Sequence, residues 1–94
     1  MRPILPGCLD RAVAALLAAP PEGRAGLALR IVSEARAADA WRKRRGRAHP
    51  LWGDGSLMSA ALRHPARPLP PSLGREARAA LRQVLDALDG SSGL

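Results

Sequence analysis

Phenylalanine and tyrosine are absent from this chain of 94 residues, and Trp41 and Trp52 are its only large aromatic side chains. Without aromatic bulk, a core must be built from Ala, Leu and Val, which bring less apolar area per residue. At roughly 25 cal/mol per Å² of apolar surface removed from water, such a core offsets chain entropy with little margin. A domain this short buries only about two-thirds of its unfolded surface in any case. A partner or a second copy of the chain would relieve that deficit, so a homo-oligomer or a place in a larger complex is expected.

Cysteine is nearly absent too. Cys8 stands alone, which excludes an internal disulfide and fits a reducing cytoplasm. No apolar run approaches the ~20 residues needed to span a membrane, and no membrane partner is expected. "RAVAALLAAP" (11–20) is apolar enough for a secretory core, but Asp10 and Arg11 adjoin it and Pro3 and Pro6 precede it. A soluble cytoplasmic protein is the expectation. Metal-ligand spacing is missing: Cys8, His49, Asp54 and His64 supply ligand types, with no CxxC or HxxxH among them. Cys8 and the serines have no base-and-orienter arrangement, and no two carboxylates are set up as an acid/base pair. The sequence thus offers no catalytic, cofactor or metal set, and a non-enzymatic protein is expected.

What the chain has is helix-forming sequence. β-Branched residues are scarce, strict alternation is missing, and Ala, Leu, Arg and Glu dominate, so the fold class is all-α: a small bundle of three to four helices with Pro/Gly-rich connectors, forming a single domain over 1–94. "MRPILPG" (1–7) reads as an extended lead-in. A first helix runs from Cys8 or Leu9 to Ala19, its stripe formed by Leu9, Val13, Leu16 and Leu17. Pro20 stops it, and Pro21 can open the next element. The second helix is expected over 22–45, with Leu27, Ile31, Ala35, Ala38 and Trp41 on one face and Gly46 as the left-handed residue that ends it. Ser56, or Asp54 before it, caps a short third helix, "SLMSAALRH" (56–64), with Leu57, Met58, Ala61 and Leu62 facing inward. The proline-rich 65–71 segment is a stiff connector. Ser72 then caps a fourth helix, on which Leu73, Ala77, Ala80, Leu81, Val84 and Leu88 align. Gly90 should end it, leaving 90–94 as a flexible tail.

Charge is lopsided: fifteen Lys and Arg against eight Asp and Glu, a formal net charge of +7. Such a balance favours acidic partners, either nucleic acid or an acidic protein surface. A GC-rich genome enriches arginine by codon bias alone, so position has to carry the argument. The concentrated feature is the run Arg42, Lys43, Arg44, Arg45 and Arg47. Cations suit a helix C-terminus, but one or two meet that need, and five in succession repel one another unless an anion is near. Arg42 and Arg45 continue the face of Leu27, Ile31 and Trp41, so the buried stripe stops at Trp41 and the helix end projects from the core or lies at its rim. Arginine forks there match phosphate oxygens. A second basic face is expected on the fourth helix, from Arg75, Arg78 and Arg82, with Arg82 and Asp86 as a helical pair.

"WGDGS" (52–56) lacks the Gly-Lys-Ser of a phosphate loop and reads as a capped turn with Trp52 as a core side chain. With both tryptophans given structural work, and the third helix too apolar to read DNA, any nucleic-acid contact is expected at the backbone phosphates and independent of sequence. The segment "AADAWRKRRGRAHPLWGDGSLMSAAL", with the opening "MRPILPG", resembles a family of short proteins of unassigned function from Rhodobacter-like alphaproteobacteria. The resemblance implies a bacterial cytoplasmic setting and assigns no site. Such lineages carry gene transfer agents, whose small packaging proteins are helical and oligomeric.

Two readings follow. In the first, a basic helical module binds nucleic-acid backbone or another anionic partner through 42–47, aided by Arg75, Arg78 and Arg82. In the second, an assembly subunit, such as a helical adaptor of a phage-like or gene-transfer-agent DNA-packaging machine, docks by its Ala/Leu faces and uses the basic run only for solubility.

Overall fold

The computed structural model describes residues 1–92, the side chains as far as residue 90. Among these residues it is an all-α bundle of four helices: α1 (Pro6–Ala18), α2 (Arg24–Arg45), α3 (Leu57–Ala61) and α4 (Arg75–Ser92), with a 3₁₀ turn at Pro21–Gly23 leading into α2. Pro20 and Pro21 break the chain between α1 and α2, and Pro21 opens the 3₁₀ turn as its missing N–H allows. Gly46 ends α2 in the left-handed conformation (φ 72°), its N–H donating to the Arg42 carbonyl at 2.8 Å. Ser56 caps α3, its hydroxyl accepting the Ser59 N–H at 3.1 Å.

The core draws on every helix: Val13, Leu16 and Leu17 of α1, Ile31 and Val32 of α2, Leu57 of α3, and Val84 and Leu88 of α4, with buried alanines between them. Alanine lets the helices approach closely, and the largest fully buried side chains are Leu16, Ile31, Leu57, Val32 and Val84. α2 lies parallel to α4. Arg24 at the start of α2 reaches Glu76 near the start of α4, and Arg36 Nη2 donates to the Leu88 carbonyl a few turns further on (3.5 Å).

Several expected boundaries shift. The lead-in is shorter than 1–7, because Pro6 and Gly7 belong to α1; a proline in a helix's first turn has no N–H that the helix needs. Helix α3 stops at Ala61, not at residue 64. His64 precedes Pro65, whose ring disfavours helical backbone in the residue before it. Leu62, expected inside, is 57% exposed beyond that end. Helix α4 begins at Arg75 without a Ser72 cap, so Leu73 falls outside the helix and is exposed. It then continues through Gly90 to Ser92, since an interior glycine costs about 1 kcal/mol relative to alanine without forbidding helix. The expected flexible tail of 90–94 is therefore helical as far as 92, and 93–94 lie outside the described residues. No helix among the described residues is long and apolar enough to cross a membrane.

Candidate functional site

The buried face of α2 explains both ends of the helix. Arg24, Ala28, Ile31, Val32, Ala35, Ala38 and Asp39 are buried, a stripe turned slightly away from Leu27 and Trp41, which are only partly covered. A charged residue therefore stands at each end of the apolar stripe. At the upstream end Arg24 is 7% exposed. Its Nε donates to the carbonyls of Leu16 (2.7 Å) and Ala19 (3.0 Å), its Nη2 to that of Leu17 (3.2 Å), and its Nη1 pairs with Glu76 Oε2 (2.9 Å). One guanidinium satisfies the open carbonyls at the end of α1 and ties them to α4. Arg67 Nη2 takes the other oxygen of Glu76 at 2.7 Å, and Arg24 first, then Arg67, holds that carboxyl below its ordinary value.

At the downstream end Asp39 is 4% exposed and collects three cations. The Met1 ammonium lies 3.0 Å from Oδ2, Lys43 Nζ 3.1 Å from Oδ2, and Arg42 Nη2 3.0 Å from Oδ1. Hydrogen bonds from the ammonium, then Lys43, then Arg42 hold the carboxyl well below the usual range against the opposing effect of burial. The expectation that the whole basic run projects freely beyond Trp41 is thus corrected for two residues. Arg42 and Lys43 lie three and four positions after a carboxylate on the buried face, and they fold back onto it.

The rest of the run stays outward. Arg45 sits over the Trp41 ring, its guanidinium carbon 4.8 Å from the centroid. Arg44 and Arg47 are exposed and have no ion-pair partner among the described residues. Beyond Gly46 the chain turns back on itself at His49–Gly53: His49 N–H donates to the Gly53 carbonyl (2.7 Å), and Gly53 N–H to that of His49 (3.1 Å). His49 Nδ1 accepts the N–H groups of Leu51 (3.0 Å) and Trp52 (3.2 Å). Its ring lies parallel to Trp52 (centroids 4.6 Å, interplanar angle 7°) and meets Trp41 edge-on (5.0 Å, 67°). Trp52, expected as a core side chain, is instead part of this partly exposed stack, because the turn holds it against His49.

"GDGS" works as a capped turn. Asp54 Oδ1 accepts the Ser56 N–H and the Ser59 hydroxyl, both at 2.9 Å, and Oδ2 pairs with Arg2 at 3.2 Å. These contacts, Ser56 foremost, bring its pKa down to about 2. Beside this turn an open cleft of about 920 Å³ lies between the N-terminal segment, α3 and the end of α2. Leu5, Cys8, Met58 and Leu62 supply apolar lining, and Arg2, Arg42 and Lys43 line it too. His64 is engaged elsewhere, its Nε2 3.0 Å from Glu34 Oε1, and does not approach His49.

Arg75, Arg78 and Arg82 are all exposed on α4, with no ion-pair partner among the described residues. The expected Arg82–Asp86 pair does not form. Because α2 and α4 are parallel and in step, Arg78 is level with Gly26 and Arg82 with Arg30. At 1.5 Å per residue, Arg44 stands about 20 Å or more further along the axis. The fold does not bring the two basic groups together.

Sequence reasoning missed Arg24 and Asp39. Asp39 carried a readable signal, being four residues after Ala35 and just upstream of Arg42 and Lys43. Arg24, seven residues before Ile31, is on the same face, but its partners come from distant segments.

No curated protein and no solved structure matches the chain. One family model does, over residues 2–88, and the chain accordingly belongs to the family described as domain of unknown function DUF7742.

Proposed function

We propose that this is a non-enzymatic, cytoplasmic binding module that holds the phosphate backbone of nucleic acid at the α2 end of the bundle. The observation that carries the reading is the local charge excess. Arg2, Arg42, Lys43, Arg44, Arg45 and Arg47 share one end with Asp39, Asp54 and Asp89, so cations still outnumber carboxylates there, and Asp39 is also engaged by the N-terminal ammonium. Arg44 and Arg47 have no ion-pair partner among the described residues, and Gly46 between them lets the backbone turn so that both stay in solvent. Guanidinium groups in that setting release counterions when they meet phosphates. Arg75, Arg78 and Arg82 form a separate row that supports a longer ligand or none.

Fluorescence anisotropy with labelled mixed-sequence DNA tests this. Binding should weaken steeply between 50 and 200 mM salt, about tenfold or more if several phosphates are contacted. The double variant Arg44→Glu/Arg47→Glu should abolish it with the fold intact by circular dichroism. No binding at low salt, or binding indifferent to salt, rejects the reading.

A second reading, an assembly subunit, is supported by the apolar lining of the cleft, where Leu5 is 62% and Leu62 57% exposed. Light scattering decides it: a monomer at all concentrations, with Leu5→Ser/Leu62→Ser unchanged in solubility and stability, counts against it.

A further inference from the structure

Neither tryptophan belongs to the hydrophobic core or packs against it. An indole is the largest apolar side chain available, and this chain, short of bulk inside, places both in a partly exposed stack at its most basic end. Trp52 is held by the parallel contact of its ring with His49 and by its backbone N–H donating to His49 Nδ1 at 3.2 Å. One face of its ring rests on the imidazole. Among the described residues no second ring and no guanidinium is paired with the other face. Trp41, by contrast, has Arg45 over its ring and His49 at its side.

We propose that Trp52 is a stacking platform for an unpaired base, and that the module's ligand is accordingly single-stranded nucleic acid. The inference rests on the nucleic-acid reading above and narrows it. A flat, partly exposed ring takes any base, because every base has a π-face, while arginines on the neighbouring helix end take the phosphates on either side. Arg45 lies over the Trp41 ring, and Arg44 and Arg47 are within a few residues of the stack in sequence at the end of α2. A duplex keeps its bases stacked on one another and can offer those arginines its backbone only. The expectation that the tryptophans are core side chains, and that binding is to phosphates alone, loses its premise once both indoles lie outside the core.

The test compares a labelled 12-nucleotide oligo(dT) with a mixed-sequence duplex of 12 base pairs by anisotropy at one salt concentration, using the full chain. The single strand should bind about tenfold or more tightly than the duplex and should quench tryptophan emission at saturation. Trp52→Ala should lower single-strand affinity about tenfold or more and leave duplex affinity unchanged, while Trp52→Phe retains most of it. Trp52→Leu keeps apolar bulk without a π-face, so it should behave as Trp52→Ala, and circular dichroism checks that each variant is folded. Equal affinity for the two ligands, or absence of quenching by the saturating single strand, overturns the platform while leaving the basic-end reading standing. Should every Trp52 variant unfold, the wild-type preference and quenching still decide the matter. Failure of both nucleic acids to bind at low salt sinks both.

Discussion

Gly55 lies against Asp39 so closely that a Cβ on it would stand 2.7 Å from the Asp39 Cα, closer than real Cβ contacts come. Its φ of 92° adds backbone strain for any side chain. The loop is thereby seated on the carboxylate that anchors the N-terminus and the end of α2. Gly55→Ala should cost about 2 kcal/mol or more, read as a lowered urea midpoint. Gly26→Ala is the counter-case. It sits within α2 with nothing within 4 Å of an added Cβ, so the same substitution should stabilise by up to about 1 kcal/mol. Equal midpoints for the two variants would contradict this account.

Arg24 is expected to be the most sensitive charged position for stability. Replacing it with methionine keeps the apolar stem but leaves the carbonyls of Leu16, Leu17 and Ala19 without the side-chain donor they have in the native fold. Charge-assisted hydrogen bonds of this kind put the loss at about 3 kcal/mol in denaturant unfolding. Glu76→Gln should shift the midpoint much less, because Glu76 is half-exposed and only one of Arg24's partners. If Arg24→Met unfolds at the wild-type midpoint, the guanidinium is not holding α1, α2 and α4 together.

Features set by local chemistry were legible in the sequence. Proline at 20–21, Gly46 after a run of cations and Ser56 before an apolar segment each fix a helix end through its own backbone, and each lies where expected. The interior faces of α1 and, Leu73 apart, of α4 followed from helical spacing alone. What depended on distant segments did not show. Asp39 receives the N-terminal ammonium from 38 residues away in sequence, which is why Arg42 and Lys43 looked free. The tryptophans looked like core residues because bulk is scarce, but the tight turn at His49 draws Trp52 onto an imidazole instead. Whether the basic run and the α4 arginines meet depends on the register of two helices, which no local pattern encodes.

Acid should destabilise the fold through three carboxylates. Asp39, Asp54 and Glu76 all have folded-state pKa values below their ordinary ones. A depressed carboxylate contributes stability that is complete above its unfolded value and is lost as pH falls through its folded value. For Asp54 the window runs from 3.8 down to about 2. Unfolding free energy measured in urea should therefore decline as pH drops from about 5 toward 2. Asp54→Asn keeps an oxygen acceptor for Ser56 and Ser59 but does not titrate, so its decline should be shallower. A variant curve running parallel to wild type would show that the Asp54 carboxylate contributes nothing to the acid response.

The salt dependence of binding should separate the two basic surfaces. Each phosphate contact contributes about 0.7 to the slope of log affinity against log salt for a single strand, and about 0.9 for duplex. Arg44→Gln/Arg47→Gln removes two exposed cations from the α2 end, so the slope for a single strand should flatten by about 1.4 as affinity falls. Arg75→Gln/Arg78→Gln removes the same charge from the far end of the bundle, about 25 Å or more away along the helix axis. For a 12-nucleotide ligand seated on the Trp52 side, the slope should change by less than half as much. The comparison holds net charge constant, so a general attraction between a basic protein and a polyanion predicts equal slopes for the two double variants. Equal slopes would remove the α2 end as the site of contact, even if binding itself persists.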